Sequence, residues 1–285
     1  MVDRVGKPNV FVGPLSFLDI EQIDTDLYRG CGETWPGARE NIYGGQVAAQ
    51  ALLAAAYTVP DDRLPHSLHG YFLRPGDPHR EVLFHVERDR DGRSFSARRV
   101  AAKQGGKVIF EMSCSFQVDE GGAEFVQPME QGVKLPGELP PVRYGTWHEL
   151  MDLRVAPAPG ADTPKGYSLD RVWIKSSVDL PDDPLVHACV LTFLSDLASG
   201  FGDLDVPGIP TFGPTIDHAL WFHGKARADR WALWNNVPLK VGGQRGLYMA
   251  SAHTEQGTLV AVMTQEMLLR DGVAPPNASA SQYAG

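Results

Sequence analysis

The sequence predicts an α+β protein made of two copies of one unit, each a buried helix wrapped by a meander of antiparallel strands. Three observations carry that expectation. An apolar helix candidate, Gln46 to Thr58, opens a series of strand-like segments in the first half. The same order returns in the second half. The segment GKVIFEMSCSF from Gly106 also lies without a gap on GTLVAVMTQEM from Gly257, a spacing of 151 residues.

In the first copy the helix follows Gly44-Gly45 and is rich in Ala. Four runs rich in Val, Phe and Ile come after it, at His66 to Leu73, Glu81 to Asp89, Ser94 to Lys103 and Lys107 to Val118. Asp91-Gly92 and Gly105-Gly106 punctuate them as turns. The second copy starts with a strand at Leu169 to Ser176 and a helix that Asp183 caps, Pro184 begins and Gly200 ends. Strands are expected next at Thr215 to His223, Trp231 to Lys240, Gly246 to Thr254 and Thr258 to Arg270. Two such units paired together form the double-hotdog arrangement. The predicted boundaries are an N-terminal extension (1–14), a first unit (15–118), a Gly-, Pro- and Glu-rich linker (119–145), a second unit (146–271) and a flexible tail (272–285).

The chain of 285 residues is long enough for two modest cores. Hydrophobic residues at 43% and charged residues at 21% are ordinary for a globular protein. A net charge of -9 disfavours nucleic-acid and anionic-membrane binding, which need a broad basic surface. No segment has the apolar length of a membrane span or the apolar core of a signal peptide, so a cytoplasmic protein without membrane insertion is expected. Cys31, Cys114 and Cys189 are odd in number and far apart, which fits a reducing compartment.

Several long motifs in order give the chain a specific resemblance. They are Tyr43-Gly44-Gly45-Gln46-Val47, the stretch from His66 to Gly76, and Asp91 to Val100. In the second half they are Ser195-Asp196-Leu197, Thr215 to His223, and Thr264-Gln265-Glu266. On these residues the chain resembles the type II, TesB-like acyl-CoA thioesterases over roughly Leu15 to Arg270. The resemblance implies hydrolysis of an acyl-CoA thioester by a water held among an Asp, a Thr and a Gln, which here are Asp196, Thr215 and Gln265. It implies no cofactor, since CoA is part of the substrate and a product.

The residues themselves leave more than one reading open. Asp196 interrupts an apolar segment behind the stripe Val186, Cys189, Val190, Phe193 and Leu197, so it is either exposed near a helix end or buried with partners. Gln265 shares a face with Leu259, Ala261, Met263 and Met267 by strand alternation, as a satisfied core amide or as a group that orients water. Thr215 alone reads as a β-favoured residue. Cys114 stands where the duplication places Gln265, so one half keeps the chemistry. Backbone N-H groups at Gly45 and Gln46 are expected to serve an oxyanion, or else the glycines serve a tight turn. Arg98 and Arg99, in the densest basic stretch, are expected to meet a CoA phosphate or to form a solvated strand face. His66, His69, His218 and His223 read as hydrogen-bonded structural histidines, with no metal-ligand spacing.

Two rival functions stay open at this level: a non-catalytic acyl-CoA binding module, and an enoyl-CoA hydratase of the same fold. Asp217 and His218 are adjacent on a strand and point to opposite faces, which counts against a hydratase dyad. A homodimer or higher even homo-oligomer is expected.

Overall fold

The computed structural model describes residues 13–32, 41–143, 149–162, 169–197, 200–202, 204, 213–224 and 226–270. The predicted tail, and the extension before Gly13, lie outside the described residues. The first half comprises β1 (Ile20–Asp24), β2 (Leu27–Cys31), α1 (Gly44–Ala56), β3 (Arg63–Phe72), β4 (Glu81–Asp91), β5 (Phe95–Gln104) and β6 (Lys107–Val118). The second comprises β7 (Met151–Val155), β8 (Arg171–Ser176), α2 (Pro184–Ser195), β9 (Thr215–Phe222), β10 (Ala232–Gly242), β11 (Arg245–Thr254) and β12 (Leu259–Leu268).

All these strands join one 12-stranded sheet in the order β1-β2-β4-β5-β6-β3-β9-β12-β11-β10-β8-β7. Read outward from the centre, both halves follow one plan. The seam is the antiparallel pair β3 and β9, with Ser67 opposite Trp221 and Tyr71 opposite Asp217. The duplication seen in the sequence is therefore a structural pseudo-two-fold.

Helix α1 is buried from Gly45 to Ala56. A helix apolar on every side needs cover on every side, and here the sheet, α2 and the 3-10 turn Gly13–Leu18 supply it. Its alanines favour the helix and let neighbours approach closely. Helix α2 starts as expected: Pro184 occupies the first turn and the Asp183 side chain accepts from the Leu185 N-H at 2.9 Å. It ends earlier than expected, at Ser195 rather than near Gly200. Asp196 has left helical geometry, with φ -90° and ψ 9°, because its carboxylate engages donors from other elements.

Strands β1 and β7 close the two edges of the sheet, with β2 next to β1, and these three were not expected from the sequence. Strands β1, β2 and β7 have 5 residues each, and β1 exposes all but Ile20. A short polar edge such as β1 resists unwanted pairing but gives little periodic signal, whereas β7 alternates buried and part-buried residues from Met151 to Val155. The Pro- and Gly-rich segment after β6 is pinned to the second half. Its Met129, Val133 and Leu139 pack on Trp173 and Leu233. Trp173 Nε1 donates to the Lys134 carbonyl at 2.9 Å, and Arg171 pairs with Glu130 at 2.7 Å.

Candidate active site

The N-terminus of α1 lies against the C-terminus of α2. Tyr43, just before α1, makes no side-chain cap there; its hydroxyl donates to the Phe193 carbonyl at 2.8 Å and its ring stands edge-on to Phe193. Glycine permits this approach. A Cβ on Gly45 would lie 2.5 Å from the Phe193 carbonyl oxygen, and one on Gly44 would lie 2.6 Å from Asp196 Oδ2. The Gly45 N-H donates to the Asp196 carboxylate. An acidic side chain of the second half thus caps a helix of the first, where the helix dipole favours negative charge.

The sheet brings the other donors. Thr215 Oγ1 donates to Asp196 Oδ1 at 3.0 Å, and Gln265 Nε2 donates to the same oxygen at 3.1 Å. Gln265 Nε2 also reaches Thr215 Oγ1 at 2.7 Å. The three predicted side chains therefore meet at one point. Below them Gln265 Oε1 faces His218 Nδ1 at 2.7 Å, and His218 Nε2 faces Ser195 Oγ at 2.9 Å.

A bulge makes this possible. Residues three apart on a regular strand point to opposite faces, so Thr215 and His218 could not both touch Gln265. In the pairing of β9 with β12, Gln265 stands opposite His218 and Glu266 opposite Asp217, but Met267 stands opposite Thr215. Ile216 is skipped, which turns Thr215 back to the inner face.

Burial sets the protonation of the site. Loss of hydration is the largest influence on Asp196 and raises its pKa from 3.8 to about 6, against the lowering effect of Thr215, Gln265 and Gly45. The residue keeps some solvent access, which water entry to the carboxylate requires. His218 is 1% exposed, and burial lowers its pKa to about 4, so it is neutral at pH 7. Tyr248, fully buried on β11, is held protonated by burial and by the nearby Asp196 charge.

The first half has no such group. Cys114 takes the register place of Gln265, Leu68 that of His218 and Arg98 that of Tyr248. Arg98 is 1% exposed, and its guanidinium donates to Thr58 Oγ1, to the carbonyls of Thr58, Arg90 and Ala97, and to Asp91. It fixes the chain after α1 and is not available to a CoA phosphate, a correction to the sequence expectation. Arg99 is exposed on the outer face and paired with Asp89 and Glu87. The oxyanion expectation also changes: the Gly45 N-H is engaged by Asp196, and the Gln46 N-H closes a turn to the Tyr43 carbonyl at 3.1 Å. Among the described residues, no three His, Cys, Asp or Glu side chains are grouped so as to hold a metal ion.

Sequence reasoning left Ser195 unassigned and gave His218 only a structural part. The pairing of His218 with Gln265 depends on sheet register, which no local pattern in the sequence encodes.

Two helices laid against one sheet with a pseudo-two-fold plan, and a part-buried carboxylate at their junction, define a double-hotdog protein. A hot dog fold protein of Alicyclobacillus acidocaldarius shares that fold, with a TM-score of 0.74 at 17% identity over 93% of this chain and 100% of the other. Family models for the acyl-CoA thioesterase N-terminal and C-terminal domains match residues 32–117 and 123–269. Acyl-coenzyme A thioesterase 8 of Rattus norvegicus is 32% identical, covering 90% of this chain and 88% of its own length. The crystal structure of acyl-CoA thioesterase II TesB2 from Mycobacterium marinum superposes with a TM-score of 0.77 at 36% identity, over 90% of this chain and 98% of that one. The chain belongs to the acyl-CoA thioesterase family and is an enzyme that hydrolyses acyl-CoA thioesters.

Proposed function

We propose that Asp196, Thr215 and Gln265 together hold and activate the water that hydrolyses the thioester. The supporting observation is that one oxygen of a part-buried carboxylate accepts from both Thr215 and Gln265, while loss of hydration raises its pKa to about 6. A general base works best with a pKa near the working pH. Asp196 takes a proton from water as the oxygen attacks the thioester carbonyl. The tetrahedral intermediate then expels the thiolate, which receives that proton. The products are a carboxylic acid and free CoA.

Oxyanion stabilisation falls to Gly45 in this reading. Once Asp196 is protonated its hold on the Gly45 N-H weakens, so an oxyanion forming beside the carboxyl can share that fixed donor. Gln46 lies one residue further along the helix and contributes by holding the turn. A CoA phosphate contact at Arg99 would require it to exchange its Asp89 and Glu87 partners for phosphate oxygens.

The test is release of free thiol from a panel of acyl-CoAs. Hydrolysis is expected, with kcat/KM falling as pH drops through about 6, because Asp196 must be ionised and its pKa is raised to that value. Exhaustive chelation is expected to leave the rate unchanged, since we assign neither a metal nor another cofactor to the reaction. A rate that needs added metal, or an acid limb at the ordinary value for Asp, would overturn these assignments.

No helix among the described residues is long and apolar enough to cross a membrane. We further assign the enzyme to the cytoplasm, in keeping with the burial of Cys114 and Cys189 in the core. We also read it as a homodimer or higher even assembly, in keeping with the exposed Val237, Leu239, Leu247 and Met249 on β10 and β11. Light scattering that returns a monomer mass would remove the last reading.

A further inference from the structure

We propose that His218, backed by Ser195, is a positioning residue that locks the Gln265 amide with its N-H pair toward Asp196 and Thr215. The inference rests on the assignment of Asp196 as the base and extends it to groups that touch neither water nor substrate.

Proton accounting supports it. His218 is neutral, so one ring nitrogen donates and the other accepts. If Nδ1 carries the proton, it donates to Gln265 Oε1 at 2.7 Å, and Nε2 accepts from the Ser195 hydroxyl at 2.9 Å. The Gln265 Nε2 then has protons for Asp196 Oδ1 and Thr215 Oγ1. If Nε2 carries the proton instead, Ser195 donates to the Thr192 carbonyl at 2.9 Å and the lone pair on Nδ1 faces the amide. The amide must then reverse, setting its carbonyl oxygen against the Asp196 carboxylate. Two acceptors at about hydrogen-bond distance repel one another, so ionised Asp196 selects the first arrangement.

The two halves of the sheet make the point independently. Leu68 occupies the equivalent place opposite Cys114, in the half without the Asp, Thr and Gln set. A leucine therefore fits this position of the pseudo-symmetric sheet. The imidazole accompanies Gln265 and is absent where Gln265 is absent.

The charged and titratable groups around the pair are few. Asp196 faces Thr215 on β9, Gln265 on β12, the Gly45 N-H on α1 and neutral Tyr248 on β11. His218 faces Gln265 on β12, Ser195 on α2 and Gly70 on β3, with Asp217 beside it in sequence. The donor that faces Gln265 Oε1 is His218 Nδ1, at 2.7 Å.

The test compares His218→Leu, His218→Asn and Ser195→Ala with the wild type, measuring kcat, KM, melting temperature and the pH profile. Asn carries an N-H on Cγ, as His does at Nδ1, and so can replace the donor. With Gln265 Oε1 left without its His218 donor the amide is held from one side only, and His218→Leu is expected to lose up to about 10²-fold in kcat, as for a misplaced reacting group. KM should change little. The acid limb should move upward, because a loosened Gln265 N-H lowers the Asp196 pKa less. His218→Asn should restore most of kcat and return the limb, and Ser195→Ala should shift both in the direction of Leu but less. A His218→Leu enzyme with wild-type kcat and limb would overturn the proposal. So would equal loss in Leu and Asn with an unmoved limb, the signature of a merely structural residue. Asp196→Asn run in parallel separates the two readings: if it is fully active the base assignment fails, whereas if it alone is impaired only the positioning role fails.

Discussion

Replacing Asp196 by Asn is expected to lower kcat by about 10²- to 10⁴-fold, the usual contribution of a positioned general base. Asn keeps a carbonyl oxygen for Thr215 and Gln265 but cannot accept the proton from water. The fold should survive. Folding raises the pKa of Asp196 from 3.8 to about 6, so the ionised carboxylate weighs against the native state above pH 6. Below 3.8 both states are protonated and that penalty vanishes. Removing the charge at pH 8 therefore offsets the less favourable meeting of the new amide with the Gly45 N-H. The melting temperature should stay within a few degrees of wild type, and acyl-CoA binding should persist. Gln265→Ala should also lower kcat, yet the double variant should lose far less than the product of the two losses, because both side chains serve one water. Near-normal hydrolysis by Asp196→Asn, or losses that simply multiply, would return Asp196 to a structural role.

The fold was legible because its two strongest signals are local. An alanine-rich helix and long alternating strands declare themselves, and the match of Gly106 to Gly257 links the copies. Strands β1, β2 and β7 were not legible, since each has only 5 residues, too short a run for alternation to stand out even where, as in β7, it is present. The residue types of the site were visible in motifs, but their relation was not. Thr215 and His218 both contact Gln265 only because Ile216 is bulged out, and alternation taken alone puts them on opposite faces. Arg98 failed as a phosphate ligand for a related reason. A dense basic run looks exposed in the sequence, whereas alternation on β5 turns Arg98 inward, and its partner Thr58 lies 40 residues away. The end of α2 was misplaced because Gly200 offered a plausible stop, while the true one is set by the partners of Asp196.

Gly45→Ala is expected to damage both stability and catalysis. Its Cβ would stand 2.5 Å from the Phe193 carbonyl oxygen and 2.6 Å from the Tyr43 ring, and the first of these is helix backbone that cannot rotate away. The helices must part or tilt. Overpacking of this kind costs about 1–3 kcal/mol, a cost that a native state worth about 5–15 kcal/mol survives with a lower melting temperature. The catalytic effect should be larger, because parting the helices carries the Gly45 N-H away from Asp196. A displacement of about 1 Å at a reacting centre can cost about 10²-fold, and kcat should fall on that order. Loss of this donor also removes one of the contacts that lower the Asp196 pKa, so the acid limb should move upward. Gly122→Ala is the control, since nothing lies within 4 Å of a Cβ there. It should leave melting temperature, kcat and limb unchanged. If Gly45→Ala behaves as the control does, α1 and α2 do not meet as closely as described, and the cap that α1 receives from Asp196 has no part in the chemistry.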